Sequence, residues 1–326
     1  MTAVDSVATG PDRFRVSVVV PTRDRPAFLR QALASIRALE AADLDLEIVV
    51  ADNGSGAEAR EVAREFRARY TRVETEGMSA ARNAALHLVT GDYVAFLDDD
   101  DCWLSTHLRP HLRLLAERPD FQAVVGQIFN TDFALAARGP AWPSALPTDG
   151  DLFDSFLEYL PQLGATVVRA GVLDSVGYFD ESLMGDEDWD WHLRLAERHP
   201  VGFVAVPCLL FRQRPPGMGD ELQRARMPFT NLVLRANVRR ATRSNLSVWR
   251  LLRLSLRHAG YWSTLFLNSA VAHAQHGDWR AARRALLWSA QASPLHAAWA
   301  VTCQSRFRQV LVGAAASLVA ITQHVH

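Results

Sequence analysis

Apolar residues follow two rhythms along this chain. Val16 to Val20, Leu46 to Ala51, Tyr93 to Leu97, Ala123 to Phe129 and Val201 to Pro207 are short, dense runs. Such runs predict strands buried on both faces. Val73 to Glu76 and Thr166 to Arg169 predict two shorter strands. Between them, Pro26 to Leu39, Ala57 to Tyr70, Ser79 to Val89, Ser105 to Glu117, Leu152 to Tyr159 and Asp186 to Glu197 read as helices. Arg25-Pro26 marks one helix start, because proline suits the first turn. Strand–helix alternation predicts an α/β fold, a mostly parallel Rossmann-like sheet with helices on both faces. Asn130 to Asp151 holds three prolines and two glycines and predicts a long loop, a kind that is usually functional or disordered.

The rhythm changes after Arg214-Pro215-Pro216-Gly217-Met218-Gly219, which reads as a hinge. Beyond it, Gln223 to His258, Tyr261 to His276, Trp279 to Ala292 and Pro294 to Thr322 all have helical patterning. The expected organisation is a disordered tail over 1–14, an α/β domain over 15–218 and an all-α extension over 219–326. Charge separates the same halves. Residues 1–218 carry 21 arginines and 33 acids, a net −12, while residues 219–326 carry 14 arginines and 3 acids, a net +11. The chain has no lysine.

Bulk composition narrows the class. The 326 residues are 49% apolar, enough for a sizeable core. Cys102, Cys208 and Cys303 are odd in number and far apart, so neither a disulfide framework nor a zinc motif is read, and a reducing compartment is expected. The N-terminus lacks the basic and apolar regions of a signal peptide. The longest apolar run, Val310 to Ile321, is 12 residues with Gly313 and Ser317 inside it, short of the ~20 that span a bilayer. A cytoplasmic protein is expected, with peripheral contact to the inner membrane face as an option. Arg250, Arg253 and Arg257 fall on one helix face and Trp249, Leu252 and Leu256 on another, a basic amphipathic pattern compatible with an anionic surface. A solvated basic exterior or contact with another subunit, including a homo-oligomer, fits equally. No nucleic-acid motif accompanies the charge.

The chemistry concentrates in Asp98-Asp99-Asp100-Asp101, at the end of a predicted buried strand. Four adjacent carboxylates repel and need solvent or a counter-ion. Hard cations such as Mg²⁺ take one or two carboxylates plus substrate phosphates. Ligands of open α/β sheets bind outside the carboxyl ends of the strands. A metal–diphosphate site is one reading and an acidic helix cap the other.

Further motifs occur in order around the run. They are Pro21-Thr22-Arg23-Asp24, Asp52-Asn53-Gly54, Gly77-Met78-Ser79-Ala80-Ala81-Arg82-Asn83, Gly177-Tyr178-Phe179-Asp180-Glu181 and Glu187-Asp188-Trp189-Asp190. Over roughly residues 15–215 this set resembles glycosyltransferase family 2, the inverting, nucleotide-sugar-dependent enzymes of GT-A fold. The resemblance implies an inverting transfer from a nucleoside-diphosphate sugar, UDP favoured, to a glycan or lipid-linked acceptor in cell-envelope polysaccharide synthesis. Pro21, Thr22, Arg23, Asp24, Asp52, Asn53, Arg82, Asp98, Asp99 and Arg214 are expected at the nucleotide sugar. Asp100 and Asp98 are expected to hold Mn²⁺ or Mg²⁺, with Asp99 an alternative to Asp98 because four identical residues leave the register open. Asp188 is expected as general base and Glu187 as its neighbour. Trp189 and Trp103 are expected as a wall for acceptor or sugar, although Trp at helical spacing is more often core. Two rivals stand beside this reading. A nucleotidyltransferase would need a Gly-rich loop after the first strand, and Pro21-Thr22-Arg23-Asp24 is not one. A non-catalytic scaffold would have lost the carboxylate pairs.

Overall fold

The computed structural model describes residues 13–240 and 247–323, with side chains up to residue 315. It divides into two compact units, residues 1–213 and 214–326.

The first unit is an α/β layer structure. Its strands are β1 (Phe14–Thr22), β2 (Leu44–Asp52), β3 (Arg69–Arg72), β4 (Tyr93–Phe96), β5 (Cys102–Trp103), β6 (Ala123–Thr131), β7 (Thr166–Arg169) and β8 (Val201–Arg212). Its helices are α1 (Pro26–Arg37), α2 (Glu58–Glu65), α3 (Met78–Leu86), α4 (Arg109–Glu117), α5 (Phe153–Glu158), α6 (Val172–Val176) and α7 (Glu187–Arg198). One sheet runs β3-β2-β1-β4-β7-β6-β8-β5. Pairing is parallel from β3 to β4 and between β6 and β8. β7 runs antiparallel to both neighbours, and β5 is antiparallel to β8. The sheet is therefore mixed, more so than the strand–helix alternation suggested, because β7 enters the middle of the sheet reversed.

Local chemistry explains the core. Val16, Val18, Val19 and Val20 of β1 are all fully buried, as a strand covered on both faces requires. Leu29, Ala32, Leu33 and Ile36 of α1 are also fully buried and recur at i, i+3, i+4 and i+7, so one helix face packs on the sheet. The parallel registers bring Val19 opposite Phe96 and Thr22 opposite Asp52. The carboxyl ends of β1, β2 and β4 therefore share one edge.

Several boundaries differ from the sequence reading. Residues 1–12 of the expected tail lie outside the described residues. Phe14, the last residue of that tail, instead opens β1, pairs with Leu44 and packs edge-on against Tyr93. The short strand expected at Val73 to Glu76 lies at Arg69–Arg72, so the helix before it ends early. β5 and α6 had no clear sequence signal, being two and five residues long.

The second unit is helical: α8 (Asp220–Arg240), α9 (Val248–Gln275), α10 (Trp279–Ala292), α11 (Pro294–Cys303) and α12 (Ser305–Gln323). The expected helix from Gln223 to His258 includes residues 241–246, outside the described residues. α9 runs unbroken through Gly260, where a break was expected, while the segment from Pro294 to Thr322 breaks at Gln304. A single glycine costs only ~1 kcal/mol in a helix, which a packed helix absorbs. Ser247, Asp278 and Ser293 cap α9, α10 and α11 by accepting from Arg250, Ala281 and His296 backbone N–H groups. Among the described residues, no helix is long and apolar enough to cross a membrane.

Candidate active site

The acid run leaves β4 at the shared strand edge, and its four side chains alternate. Asp98 and Asp100 keep 32% and 20% of their side-chain surface, whereas Asp99 and Asp101 keep almost none. The run makes a turn, in which the Asp101 N–H donates to the Asp98 carbonyl at 3.1 Å, and burial alternates along it. This geometry separates Asp98 and Asp100 from Asp99, which sequence alone left as an alternative. Asp99 is held inward. It accepts a hydrogen bond from Thr22 Oγ1 at 2.7 Å and pairs with Arg25 at 2.5 Å. Burial raises its pKa to about 7, against the opposing pull of Arg25. Asp101 is also buried, which pushes its carboxyl well above the usual range, and it accepts from the Arg212 backbone N–H at 2.8 Å.

Arginines supply the counter-charge. Arg25 reaches both Asp99 and Asp100, the latter at 2.6 Å. Arg82, on α3, is buried and forked: Nη2 donates to Asp98 at 2.8 Å and Nη1 to Glu187 at 2.7 Å. Burial alone would lower its pKa, but Asp98, Glu187 and Asp188 hold it above the ordinary arginine value. Arg82 thus joins the two carboxylate clusters that lie far apart in sequence. Arg212 pins the acid loop from β8. Its Nε donates to the Asp100 carbonyl and its Nη2 to Gln31, and its guanidinium lies over Phe28, 4.7 Å from the ring centre.

The second cluster opens α7. Asp186 precedes the helix in the left-handed region, φ 58°, and Glu187, Asp188 and Asp190 occupy the first turn, where the helix dipole favours acids. Asp188 is half-buried and accepts from the Trp189 backbone N–H at 2.8 Å. Asp190 turns away to Arg194, 2.8 Å away. His192 is enclosed between the Asp188 carbonyl and Thr166, and burial lowers its pKa to about 4. The loop before α7 is tied to α3. Asn83 bonds the Phe179 backbone and Glu181, and Ser79 bonds the Asp180 carbonyl.

At the β1 and β2 ends, several expected nucleotide contacts are already engaged. Pro21 and Thr22 are buried, whereas Arg23 and Asp24 are exposed, with Arg23 3.3 Å from Glu76. Asp24 sits at φ 52° and accepts from the Ser55 backbone N–H, which holds its carboxyl below the usual range. Asp52 is buried and accepts from Gly54 N–H at 2.7 Å and Tyr70 Oη at 2.8 Å.

Three expectations need correction. Asn53 spends its whole amide inside the protein: Nδ2 donates to the Val73 and Thr75 carbonyls, and Oδ1 accepts from Gly77 N–H. It shapes the turn rather than facing a nucleotide. Trp103 and Trp189 form no sugar wall. They are 5% and 1% exposed, and their indole N–H groups donate at 2.7 Å to the Gly164 and Phe156 carbonyls. A buried indole needs such a partner, and both rings serve the core. Arg214 is the first residue of the second unit.

Arg25 and Tyr70 were missed as site residues. Arg25 had a signal: four acids at one strand edge require a cation, and Arg25 follows the neighbouring strand. Tyr70 had none, because its partner lies 18 residues away on another strand.

Residues 17–169 match the family Glycosyl transferase family 2. An uncharacterized glycosyltransferase of Methanocaldococcus jannaschii is 24% identical over 65% of this chain and 75% of its own length. The pre-mycofactocin glycosyltransferase of Mycobacterium tuberculosis is 30% identical, but the match spans 60% of this chain and only 43% of that protein. S. aureus TarS 1-349, solved in complex with UDP-GlcNAc, superposes with a TM-score of 0.53 at 17% identity, over 83% of this chain and 90% of that one. A mannosyltransferase of Pyrobaculum calidifontis, solved with GDP-Man and Mn²⁺, gives 0.50 at 19% identity, over 93% and 86%. Residues 17–169 are thus similar to glycosyl transferase family 2, and the fold that carries them is GT-A.

Proposed function

We propose that the chain transfers a sugar, with inversion, from a nucleoside-diphosphate sugar to a hydroxyl of a glycan or lipid-linked acceptor. The observation that carries this reading is Arg82, which holds Asp98 of the acid run and Glu187 beside Asp188 on one guanidinium. Two partly exposed carboxylates, two residues apart and offering only oxygen, suit Mn²⁺ or Mg²⁺, so Asp98 and Asp100 would hold the ion. When bound, the ion supplies positive charge to the departing diphosphate. Asp188 takes the proton of the acceptor hydroxyl. Glu187, fixed by Arg82, positions that carboxylate and the donor sugar. Arg82 also contributes charge toward the diphosphate. Thr22 and Arg25 keep Asp99 turned in, so that only the outward pair is offered. Pro21, Arg23 and Asp24 border the nucleoside. Asp52 keeps lone pairs to accept from a base N–H.

UDP is the favoured nucleotide. TarS was solved with UDP-GlcNAc and the mannosyltransferase with GDP-Man. Activity should be screened across UDP-, GDP- and dTDP-sugars with Mn²⁺, reading nucleotide release with and without glycan and polyprenyl-phosphate-linked acceptors. Release that depends on neither donor nor metal would overturn the reading.

The second unit supports a place at the inner membrane face, in cell-envelope polysaccharide synthesis. Trp249 and Val248 are each 78% exposed, and Leu252, Arg253, Leu256 and Arg257 continue the same exposed side of α9. An exposed helix side that mixes large apolar groups with arginine suits an anionic lipid interface.

A further inference from the structure

The first unit holds a second set of donor atoms that the transfer chemistry does not use. His107 lies in the turn before α4, His111 in the first turn of α4 and Cys208 on β8. One ligand atom from each lies within 4.8 Å of the other two. All three residues are buried, with His107 1% exposed and the others 0%. Among the described residues, neither ring nitrogen of His107 has a hydrogen-bond partner, and neither does His111 Nδ1. Buried polar groups are nearly always partnered, and a bound ion is one cause of an exception.

The surroundings are shaped to let these groups meet. The His107 ring lies 4.3 Å from Trp103 and 4.7 Å from His111, centre to centre. Gly126 on β6 leaves the space they occupy. A Cβ there would stand 2.6 Å from Cys208 Sγ and 2.8 Å from His111 Nε2.

We propose that His107, His111 and Cys208 bind one thiophilic transition-metal ion as a structural site. Two imidazoles and a thiolate suit copper or zinc, and the lack of a carboxylate disfavours Mg²⁺, Ca²⁺ and Mn²⁺. Charge selects between the two. One thiolate neutralises Cu(I) fully but leaves a Zn²⁺ site with a buried positive charge, so Cu(I) is the favoured occupant. Metal bonds of about 2.0–2.3 Å set ligand atoms about 3.3–4.3 Å apart, so the widest pair must close by about an ångström.

Protonation agrees with this chemistry. Burial lowers His111 to about 4 and His107 well below its usual value, so both imidazoles are neutral. Burial pushes the Cys208 thiol up, and it donates to the Gln127 carbonyl at 3.2 Å. Binding therefore releases the thiol proton to solvent and weakens as pH falls. The site would act at a distance. β5 follows the acid run directly and pairs with β8 at Leu209 and Leu210. An ion joining His107 to Cys208 would staple the segment behind Asp98–Asp101 to β8.

The full chain should be exposed anaerobically to Cu(I), and separately to Zn²⁺, then gel-filtered against a competing chelator. Metal content, melting temperature and X-ray absorption are read on the wild type. The expected result is one retained equivalent with sulfur and nitrogen ligation and a raised Tm. Cys208→Ser and His107→Phe should lose it, while Asp100→Ala keeps it. Retention of Zn²⁺ alone on the same ligands supports the site and overturns the choice of ion. Oxygen-only ligation, or no more metal than Cys208→Ser retains, overturns the site. If the variants do not fold, the absorption spectrum of the loaded wild type decides.

Discussion

The two units handle charge in opposite ways. In the first, Asp99, Asp101 and Glu187 are buried acids, and each finds an arginine or its backbone. In the second, only Asp220, Glu221 and Asp278 accompany the arginines, and large apolar groups such as Trp249 and Leu295 stand in solvent. Buried ion pairs position groups at a strand edge but cost desolvation. Exposed arginines beside exposed tryptophan cost little and leave a surface able to meet something else. The contrast is the ground for proposing chemistry in one unit and attachment in the other.

The harshest break of that contrast is Asp188→Asn. It is nearly isosteric and a far weaker base, so transfer should fall ~10²-fold or more while donor binding survives. If Glu187→Gln fails and Asp188→Asn transfers normally, the base is one residue away.

Arg82→Ala comes next. It strands Asp98 and Glu187 without their buried cation, a loss of about 3–5 kcal/mol. Chemical denaturation should show it, and Arg82→Lys, which has no fork, should recover only part.

For the second unit, vesicle flotation should show binding to membranes containing phosphatidylglycerol and release in high salt, since surface charge interactions are screened. Trp249→Ala should weaken binding about tenfold, in keeping with the burial of one large apolar side chain. Binding in no condition, with a dimer that is lost on truncation at Gly219, would make this unit an assembly element.

The smallest effect concerns Asp99. Its folded pKa of about 7 lies above the unfolded carboxylate value, so the native state holds the extra proton. Stability contributed by that proton is present at low pH and is lost as pH rises toward about 7. Asp99→Asn should therefore gain in Tm relative to wild type between pH 5 and pH 8. A constant difference across that range would contradict the burial argument.

Much of the first unit was legible because buried strands such as Val16 to Val20 leave no doubt about period or length. β5 was not, since two residues carry no period. Which acids face outward was hidden by four identical residues, and only the burial of the side chains separates Asp98 and Asp100 from Asp99. Trp103 and Trp189 misled because a tryptophan beside an acid cluster reads the same whether it faces a sugar or the core. The carbonyl that takes its N–H is invisible in sequence. Asn53 misled in the same way, with partners 20 to 24 residues away. In the second unit, one helix was expected to end at His258 and the next to start at Tyr261, but α9 runs through both.

The central claim is that the outward acids of the first unit form a metal-dependent nucleotide site. Titration calorimetry of UDP, GDP and dTDP tests it most directly, with Mn²⁺, with EDTA, and with Asp100→Ala in place of wild type. One nucleotide, UDP by preference, should bind with Mn²⁺ and lose most of its affinity in EDTA and in the variant. Equal binding in EDTA, or by Asp100→Ala, would contradict the account.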